Sequence, residues 1–303
     1  MESVDPVGAP GLRTALVVGG DGRVGRALAA DLEARGWRVW RTSRRPAPPD
    51  GTRFLDLAAV AREGAVALPD CDVGIVCAAL SSYPACAEDL AVTEAVNVVG
   101  PGVICRALRE AGAGTIFVST NAVFDGETPR RKADDPTGAP TPYGRSKQHA
   151  ERHLAALDPE LAVLRLTKVL APDDALFAGW IRSLAAGEEI EAFDDMVAAP
   201  VALAHVTQAL CRMCEDGVSG IRQLSAEREM SYLEMARHVA ARVGVDPARV
   251  RGVSAAERGI APGAAPRHSS LDASDFLPGF GLDPIDPAEV LDSLVDALQA
   301  RGH

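Results

Sequence analysis

The 303-residue chain has little lysine and few aromatic side chains. Its only lysines are Lys132, Lys147 and Lys168, it has three tyrosines, and Phe, Trp and Tyr together make 4%. Positive charge is outweighed: 31 Lys and Arg stand against 42 Asp and Glu, a formal charge of −11. A chain this acidic is a poor ligand for nucleic acid or an anionic membrane, which recruit proteins by phosphate attraction. The first twelve residues carry no apolar core of a signal peptide and read as a flexible N-terminal tail. No apolar run reads long enough to span a bilayer. The expectation is therefore a cytoplasmic protein with neither nucleic-acid nor membrane partners. A metal pattern is also missing. Cys211-Arg-Met-Cys214 lies in a helical pattern with no second ligand pair, and two ligands do not make a structural zinc site, so no metal is expected. Most of the six cysteines sit in apolar segments, as buried free thiols of a reducing compartment do.

What is present is an ordered α/β alternation, 47% apolar overall, long enough for one large or two modest domains. Residues 13–18 read as a buried strand, followed by Gly19-Gly-Asp-Gly22-Arg23-Val24-Gly25 and a helical pattern over 26–35. Strand, glycine turn and helix in that order form a dinucleotide fingerprint. Gly19 permits the tight turn, Gly22 the approach of backbone to a pyrophosphate, and Gly25 close helix–strand packing. The second strand, 38–42, ends in Ser43-Arg44-Arg45, where a site for NAD(H) would place an acid for the ribose 2′-hydroxyl. Two guanidiniums suit a 2′-phosphate, so NADP(H) is preferred over NAD(H). Asp56, followed by Leu57, ends the short strand 54–55 and either meets the adenine edge or caps a helix. The strand 72–77 runs into Ala78-Ala79, small residues that leave room for a cofactor.

Helical patterns follow at 88–97 and 99–111, with Asn97 a polar residue among apolar ones. The strand 114–118 leads into Ser119-Thr120-Asn121, and a hydroxyl at that edge is placed to polarise a substrate carbonyl. Thr141-Pro142-Tyr143-Gly144-Arg145-Ser146-Lys147 then opens a helix, with Tyr143 and Lys147 one turn apart on one face. An ammonium there favours phenolate and is expected to pull the tyrosine pKa from about 10 toward neutrality, the range for proton transfer. A sixth strand follows at 161–167, then helices at 176–187, 202–215, 231–243 and 286–300. Strands are expected at 221–224 and 247–251, and a loop at 194–200.

Together Gly19-x-x-Gly22-x-x-Gly25, Asn97, Ser119-Thr120 and Tyr143-x-x-x-Lys147 resemble an extended short-chain dehydrogenase/reductase. STNAVFDG (119–126), TPYGRSKQHAE (141–151), LRLTKVLAP (164–172) and SSLD (269–272) are similar to the dTDP-4-dehydrorhamnose reductase branch. The resemblance implies a Rossmann-like, doubly wound parallel sheet with a smaller C-terminal α/β cap. Residues 13–170, joined by 201–225, would bind NADP(H); 171–200 and 226–303 would bind substrate. It implies that Tyr143 protonates a carbonyl oxygen as hydride arrives, that Lys147 lowers the Tyr143 pKa and holds the nicotinamide ribose, that Thr120 orients the carbonyl, and that Asn97 holds a relay water. Gly19, Gly22, Arg23, Val24, Gly25, Ser43, Arg44, Asp56, Leu57, Ala78, Ala79, Tyr143 and Lys147 would line the cofactor.

Several positions depart from the branch. Asn121-Ala122 replace an Asp-Tyr pair, Lys168 stands where an aromatic does, and the arginine before SSLD is displaced to Arg267. Asn121, Lys168 and Arg267 are therefore the candidates for contact with an altered substrate. The expected activity is reduction of a keto group on a sugar nucleotide or similar polar metabolite. An epimerase is the nearest rival, and a non-catalytic NADP-binding regulatory subunit the rival of another class. The residues do not read out an oligomeric state; the resemblance allows a homodimer.

Overall fold

The computed structural model describes residues 12–301 apart from Asp50 and Pro262; the tail expected at 1–12 lies outside these up to residue 11. Strand β1 (Thr14–Val18) enters helix α1 (Arg23–Ala34), and β2 (Arg38–Ser43) and β3 (Thr52–Phe54) follow. Helix α2 (Leu57–Glu63) is capped by Asp56, whose carboxylate accepts from Ala58 N at 3.0 Å, so Asp56 takes its capping role. Next come β4 (Val73–Val76), α3 (Tyr83–Glu88), α4 (Leu90–Glu94), α5 (Gly100–Glu110) and β5 (Gly114–Thr120). Helix α6 (Pro142–Leu157) leads to β6 (Ala162–Leu166), β7 (Val169–Leu170), α7 (Ala175–Ala185) and β8 (Ile190–Phe193). A short strand, β9 (Val197–Ala198), lies in the stretch expected to be a loop, and another, β10 (Val201–Ala202), follows it. Helix α8 (Leu203–Asp216), β11 (Gly220–Leu224), β12 (Met230–Ser231), α9 (Tyr232–Arg242), β13 (Val250–Val253), α10 (Phe276–Gly279) and α11 (Pro287–Arg301) complete the chain.

Seven strands form one parallel sheet in the order β11-β6-β5-β4-β1-β2-β3. The order reverses between β1 and β4, and at such a switch point the strand ends open a crevice. Strand β1 is buried on both faces, as parallel strands are. Ala15 and Val17 join a core with α1, α8 and the C-terminal elements, Met235, Val239, Leu291 and Val295 among them. Leu16 and Val18 face the other way, toward Val60, Ile104, Leu108 and Leu154. Each such buried aliphatic side chain is worth about 1.5–3 kcal/mol, against about 0–1 kcal/mol for an exposed ion pair. The two cores therefore carry the fold.

Three local departures from the sequence reading have physical causes. The helices expected at 88–97 and 99–111 are one helical run, widened to a π turn over Ala95–Val99. Pro101 has no N–H for the carbonyl one turn back and its ring crowds that carbonyl; the wider turn relieves both and carries Asn97. The merged helix Leu90–Glu110 has the length and apolarity of a membrane span, yet Val98, Val103, Ile104, Cys105 and Leu108 on it belong to the second core. The strand expected at 247–251 begins only at Val250, because Asp246 and Pro247 start a 3₁₀ turn first.

Candidate active site

Two connected hollows open along the C-terminal ends of the strands. The smaller, about 580 Å³, runs beside the glycine turn; the larger, about 1450 Å³, lies between β5, α6 and the C-terminal elements. Arg23, Val24 and Ser81 border both.

The groove is shaped by glycine. Gly19 has φ +83°, and a Cβ on Gly25 would lie 2.2 Å from the Gly19 carbonyl oxygen. Helix α1 starts at Gly22 with no side-chain cap, which leaves the amides of its first turn to the groove. Gly19, Gly22, Arg23, Val24, Gly25, Ser43, Arg44, Asp56, Leu57, Ala78 and Ala79 all line it. The acid missing from the end of β2 comes from elsewhere. Asp21, in the glycine turn, accepts from Ser43 Oγ at 2.7 Å and pairs with Arg45 at 3.2 Å. Sequence reasoning missed Asp21 because only the fold brings that turn against β2. Arg45 is thus engaged, while among the described residues Arg44 has neither an ion pair nor a side-chain hydrogen bond.

Thr120 and Tyr143 line the larger cavity, and Lys147 lies one turn further along α6, in the lining of neither hollow. Thr120 ends β5 and its Oγ1 accepts from Ala122 N at 3.1 Å, turning the chain into a 3₁₀ turn. Helix α6 is pressed onto that turn: a Cβ on Gly144 would lie 2.1 Å from the Ala122 carbonyl oxygen. Thr141 caps α6 by accepting from Gly144 N at 3.1 Å. All three tyrosines line the larger cavity, and the rings of Tyr83 and Tyr143 lie 5.6 Å apart.

The charge state of the pair differs from the sequence expectation. Desolvation by its packed surroundings pushes the Tyr143 phenol well above its ordinary 10, the Tyr83 ring adds to this, and the Thr120 hydroxyl only moderates it. Lys147, one turn away, does not outweigh this. Its side chain is buried, and its Nζ donates to the Val118 carbonyl at 2.6 Å and sits over the Phe117 ring at 3.7 Å. Burial lowers its own pKa from 10.5 to about 7, against the opposing charge of Glu151. The physical reason for the miss is that a helical spacing gives proximity but no dielectric.

Asn97 is buried and fully engaged with protein groups. Its Oδ1 accepts from Leu80 N at 2.7 Å, and its Nδ2 donates to Leu80 O and to Ser146 Oγ, both at 2.9 Å. It clamps the β4–α3 loop to α6. Beneath the site lies an ion pair absent from the sequence reading. Arg165 of β6 meets Glu151 at 2.7 Å, both nearly inaccessible, and Ser119 Oγ donates to Glu151 at 2.5 Å. The available signal was spacing: Tyr143, Lys147 and Glu151 recur every four residues on α6.

Of the three expected substrate contacts, Asn121 and Lys168 line the larger cavity. Asn121 Nδ2 also donates to Ser269 O at 3.0 Å, tying β5 to the late SSLD stretch, and Lys168 lies 3.9 Å from Asp174. Arg267 is exposed and lies outside the cavity lining, which the flanking chain reaches through Pro266 and Ser269. The cavity takes its other cations from Arg23 and Arg258.

With this geometry in hand, comparison with known proteins gives one family. The RmlD substrate binding domain model matches residues 13–300. The chain belongs to that family. It is 38% identical over 207 residues to a dTDP-4-dehydrorhamnose reductase of Mycobacterium tuberculosis, covering 65% of this chain and 67% of that protein. It is 32% identical over 290 residues to the dTDP-4-dehydrorhamnose reductase of Mycolicibacterium smegmatis, covering 93% of this chain and 85% of that protein. The fold matches the dTDP-4-dehydrorhamnose reductase of Bacillus anthracis, solved in complex with NADP, with a TM-score of 0.79 at 18% identity over 96% of this chain and 99% of that one. The seven-stranded parallel sheet is Rossmann-like and doubly wound, and the fold is shared with this neighbour.

Proposed function

We propose that this RmlD-family chain is an NADP(H)-dependent reductase of a keto group on a nucleotide-linked sugar. The observation that carries the reading is that Thr120 and Tyr143 line a cavity large enough for such a substrate, which shares Arg23, Val24 and Ser81 with the glycine-lined groove. The mycobacterial relatives named as dTDP-4-dehydrorhamnose reductases support the reaction class.

The groove fits a dinucleotide: Gly19 and Gly25 let the turn pack tightly against Ala78 and α1 beneath it, and the uncapped α1 terminus favours phosphate. Gly22, Arg23, Val24, Ala78 and Ala79 would hold it, with Arg44 on a 2′-phosphate and Lys147 on the nicotinamide ribose. A nicotinamide held there would supply the hydride. Everything else falls to the chain. A phenol raised above its usual pKa is protonated at neutral pH, so Tyr143 enters the reaction as an acid. It donates its proton to the carbonyl oxygen as negative charge develops there, and Thr120 holds that oxygen by a second hydrogen bond. Lys147, poised near pH 7, restores the proton. Asn97 keeps the β4–α3 loop against α6, and the buried Glu151–Arg165 pair fixes α6 beneath. Residues 13–170 with 201–225 form the dinucleotide side, and 171–200 with 226–303 the substrate side.

The test is a titration with NADPH and NADH followed by a panel of keto sugars linked to dTDP, UDP and GDP. Tighter NADPH binding and substrate-dependent loss of NADPH absorbance are expected. Absence of dinucleotide binding would refute the reading.

A further inference from the structure

The large cavity has two ends. Arg23 and Lys168 stand at the cofactor end, already engaged by the acidic pair Asp173 and Asp174 at 2.9 and 3.9 Å respectively. Arg258 belongs to the other end. It closes the 3₁₀ turn Ala256–Arg258, and Ile260, Ala264, Pro266 and Ser269 after it form one wall of the cavity. The Ser269 end of this wall is fastened to Asn121, next to Thr120. A ligand with its reacting carbonyl at Thr120 and Tyr143, lying along the wall, therefore presents its remote part to Arg258.

The surroundings of Arg258 suit an anion. Between the two ends the lining is apolar, with Phe193, Met196, Tyr232, Val253 and Ile260. Charge attraction is stronger beside such a surface than in open water. The guanidinium is half-exposed and ion-paired to Glu191 on β8, whose other carboxylate oxygen is held by Arg251. Glu191 thus has two guanidinium partners for one carboxylate. If Arg258 turns into the cavity, Arg251 still neutralises Glu191, so the movement strands no carboxylate. A guanidinium fork matches phosphate oxygens two at a time.

We propose that Arg258 binds the diphosphate of the substrate at the outer end of the cavity, with Glu191 and Arg251 as the pair that holds and releases it. This deepens the sugar-nucleotide reading of the same cavity and rests on it. It also assigns the role that the sequence suggested for Arg267 to a residue nine positions earlier.

Equilibrium binding of dTDP, UDP and thymidine to the full chain tests it. Arg258→Ala is expected to weaken both diphosphates roughly 10- to 100-fold, the loss of a bidentate contact. Thymidine and NADPH should bind as before, and Arg258→Lys should recover part of the loss. Equal diphosphate binding by wild type and Arg258→Ala would overturn the proposal. So would an equal loss of thymidine binding, a loss produced by Arg267→Ala instead, or no measurable dTDP or UDP binding to the wild type. If Arg258→Ala folds poorly, Glu191→Gln serves: freeing Arg258 should tighten dTDP, and unchanged affinity would count against the idea. Diphosphate binding that depends on Arg258, with no NADPH oxidation on any keto sugar nucleotide, would sink the reductase reading alone. Turnover indifferent to Arg258 would sink only this inference.

Discussion

Lys147 is the residue whose replacement most sharply separates function from stability. Its Nζ is buried, has the Val118 carbonyl as hydrogen-bond partner at 2.6 Å, and has its pKa lowered from 10.5 to about 7 by burial. At about 1.4 kcal/mol per pH unit, holding that ammonium inside the fold costs roughly 5 kcal/mol at low pH. The sign follows from proton counting. Between pH 7 and 10.5 the unfolded chain binds the lysine proton and the folded one does not, so stability rises with pH. Below pH 7 both states carry the proton and the whole cost is present. Lys147→Met removes this dependence, at a constant expense of about 1 kcal/mol for the Val118 carbonyl left unpaired. The variant should therefore be the more stable protein at pH 6, by about 5 °C or more in Tm. Its advantage should shrink by about 3 kcal/mol between pH 7 and 9.5. The window stops there because the raised Tyr143 phenol destabilises the fold once unfolded tyrosine begins to ionise near 10. Circular-dichroism melts of both proteins across that range provide the measurement, with turnover followed in parallel and expected to fall about 100-fold or more. A variant less stable by the same amount at every pH would refute the reasoning.

Three further perturbations test other parts of the account. Gly25→Ala forces a Cβ to 2.2 Å from the Gly19 carbonyl oxygen, and should weaken NADPH and NADH alike by about 10- to 100-fold in a fluorescence titration. Arg44→Ala should weaken NADPH about tenfold and leave NADH unchanged, since only the 2′-phosphate gives that guanidinium a partner. Glu151→Gln leaves the Arg165 guanidinium buried without its counter-charge, for a loss of about 3–5 kcal/mol. A lowered Tm, largely recovered by adding Arg165→Met, would confirm that the pair is structural support for α6.

Much of the molecule is legible in the sequence because its signals are local. The strand–glycine–helix opening, the small residues after β4 and the Tyr143–Lys147 spacing each encode their geometry within a few residues, and the family resemblance implies the doubly wound class of the sheet. What stays hidden depends on distant chain. Asp21 reaches Ser43 only because β2 lies beside β1, and Glu151 finds Arg165 only across the β6–α6 packing. The direction of the Tyr143 shift depends on how much water the fold removes, which spacing does not report. Arg267 carried the cue of a displaced family arginine, but the turn of the chain before Ser269 leaves it outside and puts Arg258 on the cavity.

The most direct test of the central claim compares wild type with Tyr143→Phe, each saturated with NADPH and supplied with the best keto sugar nucleotide from the panel. If Tyr143 is the acid, the phenylalanine variant binds NADPH as well as wild type but turns over about 100- to 10,000-fold more slowly. Equal rates from the two proteins would contradict the account at its centre.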